Sequence, residues 1–393
     1  MKIEKSELDG RRQALQLKLE QQNIGGAIVA LNTSMYYFSG TIQCQYIYIP
    51  AKGECLGLVR KNMARARLET DIPLAFIKGF SDIPHQLEGF GYHKPKILGM
   101  ELDVLPTALY MRFQKLFSKS EIIDVSVSVR EVRQPKSAYE LDQIKEAARQ
   151  VDCMHRCVPS LLVEGKEEIV LASELEAVLR REGHQGVGRM RGFNQEITYG
   201  HLVSGKAGAL ASYVDSPNGG EGLTPAQPQG AGRKKIRSGE PVLVDYGGIF
   251  NGYIVDQSRL FSIGPLPEIL LKAYTVALEI QEKIRELLVP GISGDTIYQT
   301  ALALAKKADL ADYFMGFGDS RVKFVGHGVG LEFNEYPILA KGSRHCLDEN
   351  YVVAVEPKFI FPDLGVAGIE NTWLIQSIKP KKISLTPDDL VIV

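Results

Sequence analysis

Apolar and polar positions follow two periods along the chain. Residues 6–22 (SELDGRRQALQLKLEQQ) carry apolar residues at helical spacing. Ala27-Ile28-Val29-Ala30-Leu31 is a short apolar run of the buried-strand type, and a second strand is predicted at residues 46–49. Strand and helix signals alternate to about Val129, which predicts an α/β domain with a sheet flanked by helices. Residues 125–129 (VSVSV) predict the last strand of that domain. Gln134-Pro135-Lys136-Ser137 then breaks the pattern: Pro135 disfavours helix at Gln134, and Ser137 can cap a helix predicted over residues 138–158. The domains expected are therefore 1–130 and 131–393. Further helices are predicted over 166–182, 267–288 and 295–308, and the last third is strand-rich, so the second domain reads as α+β. Residues 216–232 (SPNGGEGLTPAQPQGAG) hold too much Gly and Pro for regular structure. They form either a solvated surface loop or the rim of an active site, because they lead into the strand bearing Asp245.

The candidate chemistry lies where carboxylates interrupt apolar strands. PVLVDYGGIFNGYIVDQSRLF is two β-rich runs around Phe250-Asn251-Gly252, with Asp245 and Asp256 equidistant from the turn region. As cross-strand partners they would point to one face. YVVAVEPKFIFPDLGVAGIENTWLI repeats the arrangement, with Glu356 and Glu370 equidistant from Asp363. Like charges held together in a core are costly unless a cation neutralises them. His327, between glycines in VGHGVGL, is the fifth candidate ligand. One imidazole and four carboxylates suit Mn²⁺ or Co²⁺, and also Zn²⁺ or Fe²⁺, rather than a thiolate-bound ion. The charge is sufficient for two divalent metal ions with shared ligands, which would lower the pKa of a bridging water.

Composition narrows the partners. At 393 residues the chain exceeds one ordinary core, and 45% hydrophobic with 24% charged residues is a globular mixture. Lys+Arg 46 against Asp+Glu 47 excludes nucleic acid and an anionic membrane as the main partner. There is no apolar run near the ~20 residues that span a bilayer. Met1-Lys2-Ile3-Glu4-Lys5 lacks the apolar stretch of a signal peptide, so a cytoplasmic protein is expected. Five cysteines, none in a C-x-x-C, argue against a disulfide framework, and Cys153 and Cys157 read as buried thiols on one helix face.

With these residues in place the chain resembles the pita-bread metallopeptidases: methionine aminopeptidase, Xaa-Pro aminopeptidase, Xaa-Pro dipeptidase and creatinase. D-x10-D, GHGVG, AVEP and GIENT appear in family order, NTSMYYFSG resembles a segment of the creatinase-type N-terminal domain, and VPGIS resembles the family's L-x-P-G-x-S/T turn. The resemblance implies a pita-bread fold behind an N-terminal creatinase-like α/β domain, a homodimer, and a small peptide or small-molecule substrate. It implies that Asp245 chelates one metal, that Asp256 and Glu370 bridge two, and that His327 and Glu356 complete the other shell. Glu356 or Glu370 would relay protons from the nucleophilic water.

Two positions depart from the family pattern. GHGVGL-x-x-H-E-x-P reads GHGVGLEFNEYP here, so Asn334 stands at the second histidine, and the upstream histidine aligns with Ser212. The arginine often found before the last glutamate motif is Gly368. Asn334 can donate a hydrogen bond to an oxyanion but cannot transfer a proton at neutral pH. His201 and His184 are the candidates to stand in spatially. The expected activity is hydrolysis of an N-terminal residue before proline by a metal-bridging hydroxide. The alternatives are a hydrolase of a non-peptide C–N bond and a non-catalytic peptide- or partner-binding module.

Overall fold

The alternation at the N-terminus becomes a six-stranded mixed sheet. In the computed structural model, which describes residues 2–393, the chain divides into two compact units, Met1–Arg133 and Gln134–Val393. In the first unit, strands β1 (Gly26–Val29), β2 (Tyr46–Pro50), β3 (Leu56–Val59), β4 (Leu74–Phe76), β5 (Ile97–Met100) and β6 (Glu121–Asp124) lie in the order β4-β3-β2-β1-β5-β6. The β1–β2 and β2–β3 pairs are antiparallel and the outer pairs parallel. Ile28, Leu56, Leu58, Leu98 and Met100 meet Phe113 and Phe117 in its core.

The strand expected at 125–129 is instead a helix, Ser126–Val132. β6 ends at Asp124, whose Oδ1 accepts from the main-chain N–H groups of Ser126 (2.9 Å) and Leu102 (3.0 Å) and turns the chain. Ser126 and Ser128 are buried, with hydroxyls bonded to Asp103 and Gln22. Apolar-in, polar-out alternation therefore does not apply to this segment.

The second unit opens with the helix Ala138–Leu161. Its capping box pairs Ser137 Oγ with the Glu140 N–H and Glu140 Oε2 with the Ser137 N–H. This helix packs on the hairpin of β8 (Pro241–Phe250) and β9 (Tyr253–Ser262), and β7 (Gly200–Ser204) pairs with the far side of β8. Asn251 (φ 47°) and Gly252 (φ 84°) form a two-residue turn with both φ positive, as a type I′ hairpin requires. That turn sets Asp245 opposite Ser258 and Gly247 opposite Asp256. The two aspartates are thus diagonal neighbours on one face, not the directly opposed pair expected, because the turn falls at 251–252 and shifts the register.

The remaining strands are β10 (Phe324–Gly328), β11 (Glu335–Ala340), β12 (Val352–Val355), β13 (Lys358–Phe361), β14 (Gly365–Gly368), β15 (Asn371–Leu374), β16 (Lys381–Lys382) and β17 (Val391–Ile392). They form a sheet β11-β10-β12-β15-β16, a pair β13-β14, and β17 on the edge of β9. β12–β15 and β13–β14 share one register, since Val352 faces Leu374 and Lys358 faces Gly368. Glu356 and Glu370 sit in the interruption between them. Pro357 has no N–H to continue the ladder, and the Glu356 N–H turns to Val325 O of β10 (2.9 Å). Helices Glu268–Leu287 and Gly294–Lys307 share an apolar core with Val353, Val355 and Phe359. Cys153 and Cys157 do lie on the first helix but are half-buried rather than buried, and all five cysteines are free. Among the described residues, no helix is long and apolar enough to cross a membrane.

Candidate metal centre

Cross-strand pairing carries four polar residues onto one line. His201 faces Asp245, Asp245 faces Ser258, and Ser258 is bridged to Glu370 by two main-chain hydrogen bonds of 3.4 and 3.3 Å. Partners in an antiparallel ladder point to the same face, so the line places its side chains together. The Thr372 hydroxyl makes a second joint between the hairpins, accepting from the Asp256 N–H (3.0 Å) and donating to the Asp256 carbonyl (2.7 Å). His327 comes from β10, between Ile338 and Ala354. Gly326 and Gly328 permit that approach: a Cβ on either would lie 2.2 Å from Ala354 O or 2.1 Å from Tyr336 O.

At the centre of these side chains lies Lys358, which sequence reasoning missed. It is 1% exposed. Its Nζ donates to Asp245 Oδ2 (2.8 Å), Glu356 Oε2 (2.9 Å) and Glu370 Oε2 (3.3 Å). The stem runs over its cross-strand partner Gly368, where a Cβ would be 2.7 Å from Lys358 Cα and Cγ. The signal was present in AVEPKFIF: a lysine two residues from Glu356 in an apolar strand shares the face of that glutamate. Burial alone would lower the lysine's pKa, but Asp245, Glu356 and Glu370 outweigh it and hold the ammonium well above its ordinary value.

Asp256, His327 and Glu370 each present one ligand atom within 4.8 Å of the others. His327 Nδ1 faces the Gly328 carbonyl at 3.2 Å, and Nε2 lies 3.5 Å from Glu356 Oε1. With the proton on Nδ1 directed at that carbonyl, the Nε2 lone pair is available to a cation. Glu370 Oε1 is buried with no hydrogen-bond partner. Two carboxylates, one of them with an orphaned buried oxygen, and an imidazole fit one divalent cation. A second ion held through Asp245, Glu356 and Glu370 does not fit the same way, because those oxygens already accept from the Lys358 ammonium.

The charges are strongly perturbed. Burial, followed by the neighbouring Asp245 charge, pushes Asp256 up to about 7. Burial and the Asp256 charge push Glu370 well above the ordinary carboxylate range. For Glu356 burial acts upward, but Lys358 and His327 hold it down at about 2. Burial would lower His327, yet its contact with Glu356 holds it above the usual imidazole value.

The two departures from the histidine pattern are both anchored to protein partners. Asn334 clamps the main chain of Arg191, accepting from its N–H and donating to its carbonyl, each at 2.7 Å. These two bonds use Oδ1 and one N–H of the Asn334 amide. Ser212 Oγ donates to Gln229 Oε1 (2.8 Å) and accepts from the Val214 N–H (3.1 Å) within the 212–232 segment. In that loop Pro217–Gly220 are buried, and most of the tip that follows is exposed. Of the two histidines, His201 reaches the cluster: Nε2 is 3.5 Å from Asp245 Oδ2, without a hydrogen bond. His184 instead faces the Gly247 carbonyl (3.1 Å) and stacks on Tyr199.

Residues 142–377 match the family model of Metallopeptidase family M24, and residues 11–134 match that of the Creatinase/Prolidase N-terminal domain. The Xaa-Pro dipeptidase of Pyrococcus horikoshii is 27% identical over 375 residues, covering 95% of this chain and 96% of that protein. A peptidase of Bacillus subtilis, YqhT, is 26% identical over 385 residues, covering 95% and 97%. The crystal structure of the Pyrococcus horikoshii prolidase superposes with a TM-score of 0.81 at 25% identity, covering 96% of this chain and 99% of that one.

Proposed function

The chain belongs to metallopeptidase family M24, and from that premise we propose that it is a metal-dependent hydrolase of Xaa-Pro dipeptides. The observation that carries this reading is the largely buried Asp256–His327–Glu370 donor set, in a chain similar along almost its whole length to an Xaa-Pro dipeptidase. Asp256, His327 and Glu370 would hold a divalent cation such as Mn²⁺ or Co²⁺. The ion, when bound, supplies a Lewis acid and a water acidic enough to attack at neutral pH. Glu356, ionised across the working pH range, keeps His327 in place. Asp245 is held by Lys358 and lies beside His201.

The decisive assay is proline release from a panel of Xaa-Pro dipeptides by protein loaded with Mn²⁺ or Co²⁺. We expect turnover that Asp256→Ala abolishes. Metal-loaded protein that releases no proline from any member overturns the dipeptide reading.

A second reading is a hydrolase of a non-peptide C–N bond, and one observation favours it. Asn334 and Ser212, at the positions of the family's two histidines, are both engaged inside the protein. Loss of an acid–base group typically costs about 10²–10⁴ in rate, so a substrate with a better leaving group suits the site. Turnover of a non-peptide substrate such as an acyl anilide, whose leaving amine is a much weaker base than proline, again lost in Asp256→Ala, would establish it.

A further inference from the structure

We infer that the Lys358 ammonium takes the place of a second metal ion, so that this centre binds one divalent cation, at Asp256, His327 and Glu370. The inference rests on the metal-binding part of the proposed function and not on its substrate. Nζ lies 2.8, 2.9 and 3.3 Å from oxygens of three different carboxylates, the environment of a cation. A transition metal on the same oxygens would sit about 2.0–2.2 Å from each. Its nucleus would then fall inside the contact radius of the ammonium, so occupancy by one excludes the other.

Burial supports the assignment. Lysine is almost never fully buried unless paired, and this one has three acidic partners and almost no exposed surface. Its path is fixed as well. The Lys358 carbonyl accepts from the Met315 N–H (2.9 Å), and the stem crosses Gly368, the one residue type that leaves room for it.

Charge points the same way. Against four carboxylates, the ammonium and one divalent ion leave a small negative excess, and a second divalent ion could be accommodated without net positive charge only by displacing the ammonium. Glu370, one of the three ligands that converge with Asp256 and His327, keeps one oxygen, Oε1, without a hydrogen-bond partner. Glu370 thus divides its oxygens, Oε2 to the fixed ammonium and Oε1 to the exchangeable ion.

The test is a count. Protein stripped with a chelator is titrated with Mn²⁺ by calorimetry, the ions are counted by elemental analysis after dialysis, and the Mn²⁺ spin-resonance spectrum is recorded. The unaltered protein should bind one ion per chain and give the spectrum of an isolated Mn²⁺. Lys358→Ala should bind two, with the signature of an exchange-coupled pair, and Lys358→Arg should remain at one. Two ions in the unaltered protein, or none, overturns the inference without recourse to any variant. A folded Lys358→Ala that stays at one ion overturns the role of the lysine. One ion with no dipeptide cleavage refutes only the substrate reading, and cleavage with two ions refutes only this one.

Discussion

At the scale of single residues, the centre is a problem of unlike charges sharing little water. Lys358 is the residue on which the balance turns. In metal-free protein Lys358→Ala leaves three buried carboxylates without their cation, and breaking such a pairing costs about 3–5 kcal/mol. Denaturant unfolding should register that loss and show much of it restored by Mn²⁺. Asn334→Ala should cost about 1–3 kcal/mol by unpairing the main-chain groups of Arg191. The same unfolding experiment checks it, and a stability unchanged within error would refute the clamp. Asp245, Asp256, Glu356 and Glu370 were legible in the sequence because an acid inside an apolar strand has no cheap explanation. Lys358 broke the same rule and was passed over, since a lysine usually carries its ammonium out to solvent along a flexible stem. Asn334 and Ser212 were legible as departures, but where their hydrogen bonds go depends on Arg191 and Gln229, residues distant in sequence.

At the scale of elements, the two hairpins were readable from alternation and their details were not. The spacing of Glu356 and Glu370 gave the correct register because the turn is symmetric about the pair. For Asp245 and Asp256 the same argument was out of step, since the two left-handed residues are Asn251 and Gly252. Gly252→Ala puts a Cβ on a left-handed residue and should cost about 1–2 kcal/mol. Because that turn sets where Asp245 falls relative to Asp256, the substitution should also weaken Mn²⁺ affinity measured by calorimetry. Residues 125–129 failed as a strand for a different reason. Alternation reports which side chains are buried only when the polar ones face water, and here Ser126 and Ser128 are inside.

At the scale of the whole molecule, stability is tied to pH through a histidine outside the metal-ligand set. His155 joins the helix Ala138–Leu161 to the first hairpin, with Nε2 at 3.2 Å from Val244 O and Nδ1 at 3.1 Å from Gln257 Nε2. Burial, aided by the Arg259 charge, lowers its pKa to about 4. The unfolded chain takes up that proton near the ordinary imidazole value of about 6.5, and the folded protein only near 4. Stability is therefore full above the unfolded value, falls as pH drops between the two, and levels off below the folded one. The span is on the order of 3 kcal/mol. His184, buried and held near 4 chiefly by desolvation, acts in the same direction. Urea midpoints at pH 7 and pH 5 should differ more for the unaltered protein than for His155→Gln. Equal differences would remove His155 as the cause.

The line from His201 through Asp245 and Ser258 to Glu370 also has a consequence for the order of events during folding. Its members are spread along the second unit from His201 to Glu370, and the last link, Ser258 to Glu370, closes over more than a hundred residues through two long main-chain hydrogen bonds. Contacts of such sequence separation carry a larger loop-closure cost than those within a hairpin and tend to form later. A partly folded chain would hold each hairpin before it held the centre. Divalent ions present from the first moment of refolding should then leave the early kinetic phases untouched and be captured only in the final one. In such a chain the ion is a late passenger rather than a template, and newly made protein can complete its architecture before it meets a metal at all.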